Sequence, residues 1–260
     1  LFSPISYFPG QPTPERVLLR NEDQKTVIKA VPGAGSLFKE WTSNYPLENP
    51  TSPKLTFKMQ RDMIVTANFV PNIFLPVKGA YGGLVSSDDP LGRGSFNLKL
   101  GTTGSFSGTI KLGRTTVRLK GQFDADGDFA GVVKAGGKKY EITLSLAESE
   151  GGSAQIVGTF QPQVSEGATP PFIATVTSDR AAYSKKMAAS EAVVGTYNAL
   201  IVAEEGNDDV NYPVGHGFAQ ITVSKFGAAR FVGKLGDGTN LSANGKLSSD
   251  NAVALYVPLY

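Results

Sequence analysis

Asp124-Ala125-Asp126-Gly127-Asp128 sets three carboxylates at alternate positions around one glycine. Acidic, oxygen-rich loops hold calcium, which makes Asp124, Asp126 and Asp128 candidate calcium ligands. The EF-hand loop needs glycine at its sixth position and a bidentate glutamate at its twelfth. Here the glycine is fourth and the twelfth residue is Ala135. The same stretch also reads as an Asp-Gly hairpin turn. A second acidic stretch, Glu204-Glu205-Gly206-Asn207-Asp208-Asp209, is followed by Tyr212-Pro213. Glu204, Glu205, Asp208, Asp209 and Tyr212 are candidate contacts for a cation, a protein or a glycan. Paired carboxylates can hydrolyse glycosides at the right separation. No apolar setting that would raise one of their pKa values is visible around them. His216 is the single histidine, so a Ser-His-Asp triad or a histidine base would have to pass through it. With no cysteine in the chain, thiolate metal sites and cysteine nucleophiles are excluded. The expectation is a non-enzymatic protein with no cofactor beyond the candidate calcium.

These residues sit in a sequence that repeats itself. Gly79-Ala80-Tyr81-Gly82-Gly83-Leu84-Val85 recurs as Gly195-Thr196-Tyr197-Asn198-Ala199-Leu200-Ile201, an offset of 116. Gly92-Arg93-Gly94 matches Gly215-His216-Gly217, and Lys111-Leu112-Gly113 matches Lys234-Leu235-Gly236, both at 123. Gly121-Gln122-Phe123 matches Gly245-Lys246-Leu247 at 124. A slowly growing offset is what loop insertions leave between two copies of one module. Both copies carry an acidic loop after the Gly-x-Tyr strand: Ser86-Ser87-Asp88-Asp89-Pro90 in the first and the Glu204 stretch in the second. His216 exchanges with Arg93 between copies, which reads as an exposed strand start.

The elements that must carry these loops are strands. Thirty glycines and 16 prolines are spread along 260 residues, with 40% hydrophobic content. That mixture predicts an all-β chain of short strands joined by tight turns. Candidate strands of the first copy are 80–85, 95–100, 105–112, 115–123, 129–134, 139–146, 154–160 and 172–177, with Gly101, Gly104, Gly113, Asp126-Gly127, Gly136-Gly137 and Gly151-Gly152 between them. Eight strands in a meander must hide their edges, which predicts a barrel or tight sandwich. The alternation suggests a bulge near Gly121. Residues 181–194 read as an alanine-rich linker with one helical turn. The second copy, 195–260, supplies about five strands, ending on a strand at Leu255–Tyr260.

A net charge of +2 makes no electrostatic case for nucleic acid, and Lys134, Lys138, Lys139, Lys185 and Lys186 form no continuous stripe. No apolar run reaches the ~20 residues that span a bilayer. Absence of a starting methionine and of a signal-like segment suggests a piece of a longer polypeptide.

Residues 1–72 form a domain of different texture. Thr26–Pro32 alternates, Pro32-Gly33-Ala34-Gly35-Ser36 turns, and Leu37-Phe38 leads to Trp41, the single tryptophan. Leu55-Thr56-Phe57-Lys58-Met59 and Met63–Val70 are further strands. Trp41 is expected as a core plug, with sugar stacking as the alternative. The order Ala-Val-Pro-x-x-Gly-Ser-x-Phe-x-x-Trp, Leu-Thr-Phe-x-Met and Asp-Met-x-Val-Thr-Ala-Asn-Phe resembles the divergent internalin B-repeat type of bacterial surface repeat. Tyr7-Phe8-Pro9-Gly10 fits that pattern, whereas Pro12–Gln24 carries extra polar length. The resemblance implies a small β domain of secreted or surface-anchored proteins, used as spacer or adhesive stalk, with no catalytic residues.

Residues 77–260 resemble the Gly-x-Tyr-x-Gly-Leu modules of large secreted bacterial proteins, themselves similar to transferrin-binding-protein-B-like barrels. The resemblance is carried by Gly79, Tyr81, Gly83, Leu84, Gly104-Ser105-Phe106-Ser107-Gly108 and Gly121-Gln122-Phe123-Asp124. In the second copy Ala199 replaces Gly83 and Gly108 has no glycine counterpart. The domains expected are therefore 1–72, a first module at 73–180, the linker 181–194 and a second, incomplete module at 195–260. The expected function is a secreted or cell-surface stalk, adhesive or assembly segment. Its partners would be a protein or glycan at the cell surface, or a second copy paired through an open sheet edge. The alternative is a carbohydrate- or protein-binding module built on the acidic loops and on Tyr81, Tyr197, Tyr212, Tyr256 and Tyr260.

Overall fold

The computed structural model describes residues 20–203 and 215–259, and the backbone of residues 5–7. The described chain is almost entirely β, as the turn-rich sequence predicts. It divides into two compact units: residues 1–76 with 102–104 and 123–127, and residues 77–101, 105–122 and 128–260.

In the first unit β1 (Ile5–Tyr7) runs parallel to β2 (Lys25–Pro32), which pairs antiparallel with β4 (Lys54–Lys58). A second ribbon joins β3 (Ser36–Ser43) to β5 (Val65–Pro71), with a bulge between Phe38 and Glu40. Trp41 is 4% exposed and packs with Ala30 and Leu55, while Phe38, Phe57 and Phe69 close round it. Its indole N–H donates to the Ser52 carbonyl at 2.9 Å, so the ring is spent on the core. Asn72 caps a single helical turn, α1 (Phe74–Val77), by accepting from the Phe74 N–H at 3.0 Å. That turn and a 3₁₀ turn at Pro90–Gly92 are the helices among the described residues.

The second unit holds an eight-stranded antiparallel, nearly closed barrel. Its strands are β6 (Gly79–Ser86), β7 (Gly94–Leu100), β8 (Ser105–Leu112), β9 (Thr115–Gln122), β10 (Asp128–Ala135), β11 (Lys138–Glu148), β12 (Ala154–Pro162) and β13 (Ala174–Arg180). Each follows a predicted strand within a few residues. Sequential strands pair, and β13 returns to β6 with Val176 opposite Val85. The seam lies between β9 and β10. Phe96, Ile110, Val117, Leu144, Ile156, Phe160 and Val176 are all 0% exposed, so the interior is a packed core.

Two features of this barrel correct the sequence reading. The expected bulge near Gly121 is absent, because β8 and β9 keep one register from Ser105–Gln122 to Leu112–Thr115. Gly121 instead lies under the rings of Phe106 and Phe129, which meet edge-on with centroids 4.8 Å apart. A Cβ at Gly121 would fall 2.6 Å from one ring and 2.7 Å from the other. Along β8 the apolar residues Phe106 and Ile110 look out of step in the sequence at Thr109, and here too a glycine is the reason: Gly108 takes the inward position between Phe106 and Ile110.

Residues 181–194 contain no helix. Ala181 bridges to Ser248, and Ser184 and Met187 close a tight turn on each other. A short segment without an apolar stripe has nothing to pay for helix nucleation. The second copy then forms a four-stranded antiparallel sheet: β14 (Gly195–Ile201), β15 (Gly217–Val223), β16 (Ala228–Lys234) and β17 (Asn240–Lys246). Among the described residues it has four strands, not about five. Residues 252–259 form no strand; Val253 and Leu255 pack over Gly245 instead.

The duplication is written in the hydrogen-bond register. Gly79 faces Leu100 as Gly195 faces Val223, and Val85 faces Gly94 as Ile201 faces Gly217. Ser95 faces Lys111 as Phe218 faces Lys234, and Ile110 faces Val117 as Gly233 faces Leu241. The β6–β9 half of the barrel is thus repeated, pair for pair, in β14–β17.

Candidate functional site

The acidic turn after β9 is held by its own neighbours. Asp124 accepts from the Asp126 N–H at 3.0 Å, which shapes the turn. Asp126 pairs with Lys39 Nζ at 2.8 Å, and that carboxylate holds the Lys39 ammonium above its ordinary pKa. Asp128 opens β10 and accepts from the Ser145 hydroxyl, opposite it in register, at 2.5 Å. No group of three carboxylate or imidazole side chains that could hold a metal occurs among the described residues.

The equivalent turn of the second copy is Ser248-Ser249-Asp250-Asn251. Its Asp250 accepts from the Ser153 hydroxyl through both oxygens at 3.1 Å. Ser153 is 5% exposed and also meets the Ser249 hydroxyl. Beside it, the Ala182 N–H donates to the Leu247 carbonyl at 3.0 Å. Together these contacts fasten the end of the second sheet to the hairpin between β11 and β12 and to the chain just after β13.

The second candidate set, Glu204, Glu205, Asp208, Asp209 and Tyr212, lies outside the described residues. Its first-copy counterpart is a braced loop. Asp89 accepts from the Leu91 N–H at 2.8 Å, and the Arg93 guanidinium donates to the carbonyls of Ser87 and Asp88 at 2.8 and 3.0 Å. His216, at the Arg93 position, accepts from the Ala203 N–H through Nδ1 at 3.1 Å. Arg93 braces the loop after the first strand of its copy, and His216 meets the backbone just past β14. The tyrosines diverge. Tyr81 is 2% exposed and donates to the Val77 carbonyl at 2.6 Å, whereas its counterpart Tyr197 is 43% exposed.

A cleft that the sequence reading missed opens on the outer face of the barrel. It encloses ≈ 1190 Å³ between strands β6–β9 and the residues of β17 and the segment after it. Across its floor the register stacks Ala80, Lys99, Ser107 and Lys120 in one row and Gly82, Asn97, Thr109 and Arg118 in the next. Lys111 adds a third row, while Ser242, Asn244, Lys246 and Tyr256 supply the far wall. The Gly113 N–H donates to the Tyr256 hydroxyl at 3.3 Å. No carboxylate lines the cleft, and none of its five cations forms a salt bridge with a described residue. The cations come from separate strands, so no continuous basic run exists to be noticed. The visible signal is Arg118-Leu119-Lys120, two cations on the polar side of one alternating strand, with Lys111 and Lys99 on the polar side of the two strands before it.

No helix among the described residues is long and apolar enough to cross a membrane, which says nothing of strands. Neither the curated proteins nor the solved structures contain a match to the chain. Residues 18–73, which carry β2–β5 and the Trp41 core, match the family model of the divergent InlB B-repeat domain.

Proposed function

We propose that the chain is a non-enzymatic structural segment of a bacterial surface protein, acting as a stalk that presents or spaces other parts. The observation that carries this reading is the duplicated clasp. Asp126 and Asp250 hold equivalent turns, and each binds a side chain from the chain preceding its own copy, Lys39 in one case and Ser153 in the other. A module that repeats both its register and its attachment serves to extend a structure. The B-repeat match at residues 18–73 supports the same reading, as does a barrel whose interior is filled. The barrel is also the architecture implied by the resemblance to Gly-x-Tyr-x-Gly-Leu modules.

The test is location. Antibody raised against the barrel should label intact, unpermeabilised cells that make the protein. Labelling only after permeabilisation would remove the stalk reading.

A second reading rests on β14. Among the described residues no strand pairs with its outer edge. Leu200 and the Phe218 opposite it are 65% and 63% exposed, and Val202 is 67% exposed. An open edge flanked by apolar side chains recruits another strand. Pairing with a second copy of the chain would make the segment an assembly element.

A further inference from the structure

We propose that the cleft on the barrel's outer face binds an acidic polysaccharide, its carboxylate or sulfate groups meeting Lys99, Lys111, Arg118, Lys120 and Lys246. This goes beyond the stalk reading and does not depend on it, since a spacer needs no ligand. Five cations around one concavity, with no described carboxylate among its walls, repel one another. Protein surfaces ordinarily intersperse the two signs. Focusing by the cleft walls raises the local concentration of anions.

The remaining lining distinguishes a sugar chain from other polyanions. Asn97, Ser107, Thr109, Ser242 and Asn244 project amide and hydroxyl groups between the cations, the donors and acceptors that sugar hydroxyls require. Successive rows on one strand are about 7 Å apart, and neighbouring strands about 4.8 Å apart. Neutral hydrogen-bonding groups therefore stand within one strand or one row of the cations across the floor. Ala80 and Gly82 keep the β6 side of the floor low, and a Cβ at Gly82 would meet nothing closer than Asn97 Oδ1 at 3.8 Å. Tyr256 offers a ring at one wall. Single-stranded nucleic acid calls for several stacking rings along a groove. The cleft's other aromatic residues, Tyr81 and Phe96, are 2% and 0% exposed and belong to the core.

The test is titration calorimetry of the full chain with a heparin dodecasaccharide, an oligogalacturonate, neutral dextran and oligo-dT of matched charge. Binding of at least one acidic glycan is expected, weakening at least tenfold in the R118Q/K120Q double variant and changing less than twofold in K134Q, which lies outside the cleft. All three substituted side chains stand exposed on strands, and an unchanged thermal midpoint would show that the variants fold. A sulfated-only or carboxylated-only result assigns the anion. Three results would overturn the proposal: neither acidic glycan binds, the double variant binds like the parent, or oligo-dT binds as tightly as the glycans.

Discussion

Asp126 and Asp250 stand at one position in two copies of the same turn, and each carboxylate is bound by a side chain that precedes its copy in the chain. The match follows from the register, since Gly121 and Gly245 lie equally far before them on β9 and β17. The partners differ in kind: Lys39 meets Asp126 as an exposed ion pair, whereas Ser153 meets Asp250 from a buried position. The same turn is thus used twice for attachment, once through charge and once through a neutral donor.

The buried clasp should matter more. Ser153→Ala removes the hydroxyl shared by Asp250 and Ser249, and Asp250→Ala removes the acceptor. Each is expected to cost about 1 kcal/mol. In a double-mutant cycle read by urea denaturation, the pair should couple by roughly 1 kcal/mol. Simple additivity would mean the clasp contributes nothing.

The exposed clasp should respond to salt and alkali. Asp126 raises the Lys39 pKa, so the folded chain holds that proton more tightly than the unfolded chain. Its contribution is complete below the unfolded value of about 10.4 and is lost as pH rises through the higher folded value. The gap between the parent and K39Q in urea midpoint should stay constant through neutral pH, narrow above about pH 10.4, and shrink in 1 M salt. A gap that survives both conditions would point to packing by the lysine stem.

Tyr81 sets a second alkaline limit. Burial pushes its phenol up to about 12, with the Arg180 cation acting the other way. The unfolded chain loses that proton near pH 10 while the barrel keeps it, so stability falls between those values by roughly 2–3 kcal/mol. Tyr81→Phe should flatten this decline, and should cost about 1 kcal/mol at neutral pH through loss of the bond to the Val77 carbonyl. Ultraviolet titration of parent against variant would identify the late-ionising phenol directly.

Gly82 and Gly83 are neighbours with opposite tolerances. A Cβ at Gly83 would drive into the Thr177 carbonyl and the Ser178 backbone on β13. Gly83→Ala should therefore destabilise the barrel by about 1–3 kcal/mol, while Gly82→Ala should be close to neutral. Thermal midpoints of the two variants would decide it, and equal losses would contradict the packing described for β6 and β13.

Those two glycines also show how much of the fold the sequence makes legible. Hairpin signals and alternation mark the barrel strands because each glycine turn breaks a run of alternating residues. The duplication is legible for the same reason, and its growing offset is reproduced by the register. The replacement of Gly83 by Ala199 is unexplained by sequence. In the structure β13 crowds Gly83, whereas no described strand stands beside β14, so a methyl fits. Gly108 lacks a glycine counterpart because its equivalent, Phe231, belongs to a sheet that does not close. Residues 255–259 alternate like a strand but cover one side of β17 as irregular chain. The candidate site was less legible, since the acids of the turn are visible in sequence but their partners, Lys39 and Ser153, are distant along it. The cleft needs β7, β8 and β9 side by side and β17 across from them before its cations form a group.

If β14 offers an open edge, the chain should associate through it. Light scattering at rising concentration should show dimers, and Asn198→Pro, which removes one β14 donor, should reduce them. A strict monomer at high concentration would leave the stalk reading without the assembly role.

The proposed stalk role is put to its sharpest test by pulling single molecules of the whole chain between handles. The barrel from β6 to β13 spans about 100 residues, so its rupture should release roughly 35 nm at ~3.5 Å per residue. The account predicts a discrete force peak of that length, preceded by a weaker event from β14–β17 that Asp250→Ala lowers. Smooth extension with no force peak would contradict it.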